Sequence, residues 1–185
     1  MSVWTAMGPR FDLDARARDA AIALRSGLSS WGVERILDAV CWQWSGSIGK
    51  HIGCPFWSAD ALSEFGRRGR TRYGDWCVHE HVVPRTVLFR LLREIENPDE
   101  ASVRRALDVF AIGCVVTPEE DGRLRRNFRS VMPPSFRDRQ SPGYGDPWLR
   151  YKELAIEVVG PLRWSRAGEY ERPLASSRPA HRPEC

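Results

Sequence analysis

The sequence predicts a predominantly helical α+β domain. Three observations carry that expectation. Apolar residues recur at helical spacing along most of the chain, β-branched residues gather in only two short runs, and 185 residues can bury a core without disulfide or metal staples. Hydrophobic residues make up 42% and charged residues 28%, a globular composition. No apolar run approaches the length needed to cross a bilayer. The N-terminus lacks a basic segment followed by an apolar one, so no secretory signal is expected.

Residues 12–29 read as the first helix, with Ala15, Ala20, Ile22, Ala23 and Leu24 among Arg and Asp, and Gly27 near its end. Residues 31–44 read as a second, in which Val33, Ile36, Leu37, Val40 and Cys41 share a face. Gly46, Gly49, Gly53 and Pro55 break the chain over 45–56. Ser58 can cap a short helix over 59–65, which an Arg-rich turn over 66–74 ends. Val78, Val82 and Val83 suggest an extended segment that stops at Pro84.

Residues 85–96 form an amphipathic helix, with Val87, Leu88, Leu91, Leu92 and Ile95 on one side. Asn97-Pro98-Asp99 breaks it, and residues 101–110 form another helix. Residues 112–117 read as the second short strand. Thr117 as N-cap, Pro118 at the first helical position and acids in the first turn then open a further helix. Residues 130–147 are loop-rich, 148–159 read as helix, and the chain beyond Gly160 loses apolar periodicity. The expected organisation is an N-terminal helical region over 1–56, a main domain over 57–160 and a disordered tail over 161–185.

The charge is carried almost wholly by arginine. Of 28 basic residues only Lys50 and Lys152 are lysines, and the formal net charge is +4. Arg123, Arg125, Arg126, Arg129, Arg137 and Arg139 face Asp138 alone within 122–140, and Arg67, Arg68, Arg70 and Arg72 form a second run. Arginine is the planar bidentate donor suited to phosphate, and clustering favours a nucleic-acid backbone over a uniform basic surface. The bland reading is a pair of solvated loops. Of the five cysteines no two are spaced C-x-x-C, so no zinc knuckle is expected. Cys41, Cys77 and Cys114 sit among apolar neighbours and read as small core residues in a reducing, cytoplasmic setting.

The chemistry concentrates in His79-Glu80-His81, just before Val82-Val83-Pro84. On a strand, His79 and His81 point to one face and Glu80 to the other. A carboxylate beside an imidazole offers a metal ligand and a general base, the two functions phosphodiester hydrolysis needs. Trp42, Trp44, Trp57 and Trp76 read as packing residues before base-stacking ones.

Glu80-His81-Val82-Val83-Pro84 resembles the D/E-H-x-x-P signature of the HNH endonucleases, the ββα-metal superfamily. Blocks around Trp57, Val115-Val116-Thr117-Pro118-Glu119-Glu120-Asp121, Met132-Pro133 and Trp148-Leu149-Arg150-Tyr151 resemble a bacterial group of such proteins. The resemblance implies a small ββα core with Glu80 as metal ligand and His81 as general base. It implies an acid at the next helix start, Asp121 or Glu120, facing the ion, with His79 a further ligand candidate. The implied activity is hydrolysis of DNA with Mg²⁺ or Mn²⁺, ahead of Zn²⁺. Arg123, Arg125, Arg126, Arg68 and Arg70 would meet phosphates, and RNA is an alternative substrate. A homodimer would serve a double-strand cut, and no membrane partner is expected.

The sequence also departs from the family pattern. The only Asn between the two strands is Asn97, in a turn, and an acid stands where the last helix usually carries His. A catalytically degenerate nucleic-acid- or protein-binding module is therefore the alternative. An all-helical interaction protein is a third reading.

Overall fold

The computed structural model describes residues 11–70, 72–164 and 169–171. Helices dominate, and a small mixed sheet sits among them. The order is α1 (Leu13–Arg25), α2 (Ser30–Ser45), β1 (Trp57–Ser58), α3 (Ala59–Arg68), α4 (Tyr73–Trp76), β2 (Val78–His81), α5 (Arg85–Arg93), α6 (Glu100–Phe110), β3 (Gly113–Val116), α7 (Pro118–Phe128), α8 (Leu149–Glu153), β4 (Val158–Val159), β5 (Arg163–Trp164) and β6 (Tyr170–Glu171). No described helix is long and apolar enough to cross a membrane.

Caps set most helix starts. Asp12 accepts from the Ala15 amide, Ser29 from Gly32 and Ser58 from Ala61. Asp99 and Ser102 form a capping box for α6, and Thr117 and Glu120 another for α7. Glu120 is 4% exposed. Its Oε2 accepts from Ser58 Oγ at 2.6 Å, Thr117 N at 2.8 Å and Thr117 Oγ1 at 3.0 Å. That carboxylate joins α7 to α3, so Glu120 acts as a structural cap.

The four-stranded sheet runs β2-β3-β1-β4, with β2 on its edge. β2 and β3 are antiparallel, pairing Val78 with Val116, His79 with Val115, Glu80 with Cys114 and His81 with Gly113. β1 runs parallel to β3 and antiparallel to β4. Two helices, α5 and α6, fill the connection between β2 and β3, and α7 follows β3 within two residues.

Three apolar clusters hold the elements. The first packs α1 and α2 on α5 and α6, through Ala17, Ala20, Ala21, Leu37, Val40, Leu88, Leu92, Val103 and Leu107. The alanines of α1 let its backbone come close to α6. The second surrounds Trp57, with Leu62, Trp76, Cys77 and Trp164. The third lies under α7 and α8, with Val82, Cys114, Val116, Leu124, Tyr151 and Ile156. Cys41, Cys54, Cys77 and Cys114 are buried free thiols, and burial pushes Cys41 and Cys54 up to about 12.

Two expectations need correction. The helix expected over 148–159 lasts only five residues. Ala155 takes a left-handed φ of 50°, and Val158 and Val159 then pair with β1 instead. The tail expected from 161 is ordered to Trp164 at least. Leu162 and Trp164 are 5% and 3% exposed, and the Trp164 indole donates to the Cys54 carbonyl at 2.7 Å. Two-residue strands, Arg163-Trp164 paired with Tyr170-Glu171, are too short to carry a period, so the burial of Trp164 left no pattern to read. Residues 172–185 lie outside the described residues.

Glu120→Ala should lower folding stability by about 2 kcal/mol, adding a lost cap to an orphaned Ser58 hydroxyl. Urea unfolding followed by circular dichroism measures it, and a change within error would show that the carboxylate does not hold α7 to α3.

Candidate functional site

A cleft of about 750 Å³ opens beside the edge strand β2. β2 supplies Val78, His79, Glu80 and His81. α2 supplies Asp38 and Trp42, α5 supplies Arg85, Thr86 and Phe89, and α7 with the turn after it supplies Arg125, Arg126, Arg129 and Ser130. Arg150 forms part of the floor.

Strand alternation separates the two histidines from Glu80. His79 and His81 turn toward α2. Each places Nε2 near Ser45 Oγ, at 3.3 and 3.2 Å, and His79 Nδ1 donates to the Lys50 carbonyl at 2.7 Å. Trp42 stacks on His79 at 6.0 Å and meets His81 edge-on at 4.5 Å. Lys50 and Arg85 place their cations over the same indole, at 4.9 and 5.3 Å. Burial first, then the neighbouring His79 and the cations of Arg85, Arg150 and Lys50, hold His81 down to about 3. Burial likewise holds His79 to about 4, so both rings are neutral at physiological pH.

Gly113 explains how the rings fit. A Cβ there would lie 2.3 Å from His79 Cε1 and 2.8 Å from the Ser45 carbonyl, so only glycine admits the His79 ring over β3.

Glu80 faces the other way, toward Arg150 and α7. Arg150 is 1% exposed and donates to Glu80 Oε1 at 3.0 Å, to the Val82 carbonyl at 2.8 and 3.1 Å, to the His81 carbonyl at 2.5 Å and to the Phe128 carbonyl at 3.1 Å. Burial raises the Glu80 carboxyl above its ordinary value, Arg150 opposes that, and the nearby Asp121 charge adds to it. Asp121, 7% exposed on α7, is paired with Arg125 at 2.9 Å.

The residues singled out in the sequence thus divide. His79, Glu80, His81, Arg125 and Arg126 meet at one cleft, with Asp121 behind Arg125. Arg123 does not join them, because its guanidinium bonds the Leu154 carbonyl. Arg68 pairs with Glu64 at 2.7 Å and lines a separate cleft with Asp60, Asp75 and Glu119. Arg70 is exposed and lines neither cleft. Glu80, His81 and Asp121 do not close on one point, since His81 turns to α2 and Asp121 adjoins Glu80. The sequence reading left out Ser45, Arg85 and Arg150, and took Trp42 for a packing residue before a base-stacking one. Only Arg85, directly after the E-H-x-x-P string, carried a usable signal, as a cation at a helix N-terminus where the dipole disfavours one.

Among the described residues no three His, Cys, Asp or Glu side chains converge on a metal-ligating point. Both His79 nitrogens are engaged, which leaves the neighbouring carboxylates of Glu80 and Asp121 as donors. Two carboxylates suit a hard cation that completes its shell with substrate phosphate and water, better than a closed protein cage. Arg150 and Arg125 now occupy those oxygens, so such an ion competes with two ion pairs. Comparison of the chain with protein-family models, curated proteins and solved structures gives no match.

The neutral histidines make stability depend on acidity. The unfolded chain takes protons at both rings below pH 6.5, whereas the folded rings resist until about 4 and 3. Stability from these rings is therefore complete above pH 6.5 and lost as pH falls toward 3. Glu80 opposes this only near the carboxylate range, because its raised pKa lets the folded state take that proton first. The urea midpoint of a His79→Gln/His81→Gln variant should fall less between pH 6.5 and 4 than that of the wild type. Parallel curves would mean the rings are not held neutral.

Proposed function

We propose that the protein is an HNH-like endonuclease that hydrolyses phosphodiester bonds of DNA, with His81 as the general base. One observation carries the reading. His81 on β2, its imidazole neutral and only 6% of the residue exposed, lines a cleft walled by Arg85, Arg125, Arg126 and Arg129. Antiparallel β2 and β3 followed by α7, and the Glu80-His81-Val82-Val83-Pro84 string, support the same assignment.

The arginines neutralise phosphates on either side of the scissile bond and hold the backbone along the strand edge. His81 removes a proton from the attacking water. Glu80 and Asp121 are the residues to hold a Mg²⁺ or Mn²⁺ ion, which when bound polarises the phosphate. The buried thiols suit a reducing, cytoplasmic location. DNA is the proposed partner, and a homodimer would cut both strands.

A second reading has its own support. Glu80 and Asp121 are each ion-paired with arginine. A catalytically degenerate binding module would keep the basic cleft and those ion pairs and would need no metal.

Plasmid cleavage with Mg²⁺ or Mn²⁺ separates the two. The nuclease reading expects metal-dependent nicking that EDTA abolishes and that His81→Ala lowers at least about 100-fold, with DNA binding retained. Gel-shifted DNA without cleavage under any metal supports the binding module. Binding should also weaken steeply with salt. Each neutralised phosphate contributes about −0.9 to the log–log slope, so an Arg126→Ala/Arg129→Ala variant should flatten it by roughly 2. An unchanged slope would remove the cleft as the footprint.

A further inference from the structure

The Ser45 hydroxyl is shared by two imidazoles, and its hydrogen-bond directions can be assigned by elimination. A carbonyl only accepts, so the 2.7 Å contact with the Lys50 oxygen requires a proton on His79 Nδ1. Among the described residues no carboxylate pairs with His79, whose ring packs against Trp42 and over Gly113, so the ring carries the Nδ1 proton alone and its Nε2 holds a lone pair that needs a donor. Ser45 Oγ, at 3.3 Å, is the partner it has, and the serine proton goes there. Having donated its only proton, Ser45 can only accept from His81, 3.2 Å away, so His81 Nε2 carries the hydrogen. The other assignments set a lone pair of His79 Nε2 against one of Ser45, in a place too enclosed to leave it so. The Trp42 carbonyl, at 3.5 Å, is a weak competitor for the serine proton.

We infer that Ser45 and His79 are positioning residues for His81. The chain from the Lys50 carbonyl through His79 and Ser45 fixes His81 as its Nε2–H tautomer and leaves Nδ1 as the basic atom. His81 Nδ1 has no hydrogen-bond partner among the described residues, and the ring lines the cleft. Trp42, edge-on at 4.5 Å, holds the ring where it lies against α2, and Gly113 keeps His79 in line. Ser45 ends α2, so an element outside the strand pair governs which nitrogen of the proposed base is free. The inference rests on the nuclease reading for its catalytic consequence, but its tautomer assignment stands apart from activity.

The experiment therefore has two arms. In the first, wild type, His81→Ala, Ser45→Ala and Ser45→Thr are compared in steady-state DNA cleavage. Ser45→Ala should lower kcat by about 10- to 100-fold and leave KM and gel-shift affinity within about twofold, the signature of an outer residue orienting a reacting one. Ser45→Thr, which restores the hydroxyl, should recover most of the rate. In the second arm, ¹⁵N NMR of the imidazole rings reads the tautomers without substrate. His81 should be Nε2–H in the wild type and a mixture in Ser45→Ala. Wild-type kcat in Ser45→Ala, or an Nδ1–H ring at His81 in the wild type, overturns the inference. A wild-type protein that cleaves nothing overturns the nuclease reading alone, and the NMR arm then decides the positioning by itself.

Discussion

The buried guanidinium of Arg150 is the interaction on which the site depends. β2 ends at His81 and leaves the carbonyls that follow without ladder partners, and α7 ends with a carbonyl at Phe128. Arg150 satisfies the oxygens of His81, Val82 and Phe128 together and still reaches Glu80. Remove it and the buried carbonyls of His81 and Val82, the part-buried one of Phe128 and a half-buried carboxylate lose their partner at one stroke. It reaches that place because α8 packs its Tyr151 into the cluster beneath α7. One side chain thus ties the end of β2, the end of α7 and the start of the C-terminal segment into one geometry.

Arg150 also sets what each face of β2 can do. On its side the cation offsets the burial of Glu80 and shares the carboxylate field with Asp121. On the α2 side no acidic partner balances the histidines. Lys50, Arg85 and Arg150 all press His81 toward neutrality, after burial has done most of that work. The strand therefore carries an anionic face matched by guanidinium and a neutral, hydrogen-bonded face, and the cleft opens on both. Alternation of side chains along four residues is enough to make the distinction.

The helices were legible because their apolar faces and caps are local. Ser58, Asp12 and Thr117 each announce a start within four residues, and α5 carries its buried Val87, Leu88 and Leu92 in the order the 3.6 period requires. β2 and β3 were legible from their runs of β-branched residues, whereas β1 was not. What the sequence hid was non-local. β4 is two valines within a presumed helix, recognisable only through pairing with Trp57 and Ser58. Trp164 is buried because Cys54, far away in sequence, offers it a carbonyl. Of the site, the His-Glu-His segment and Arg125 and Arg126 stood out as chemistry on a short strand and a basic helix. Ser45 looked like the first residue of a loop, and its role exists only where α2 ends against β2. Arg123 and Arg125 are two residues apart and indistinguishable by composition, yet the helix turns one to Leu154 and the other to the cleft.

The first two helices are therefore more than a support for the main domain. They share one apolar cluster with α5 and α6, and that cluster fixes the angle at which α2 meets the sheet. Asp38, Trp42 and Ser45 lie on successive turns of α2, and each meets the cleft or its histidines. Asp38 pairs with Arg85 at the opposite wall, so the cleft is braced across its mouth by α2 and α5. A boundary between residues 56 and 57 would run through this wall. The chemistry on β2 and the scaffold on α2 consequently stand or fall together: whatever loosens the packing of Leu37 and Val40 against α5 also moves the hydroxyl that holds His81.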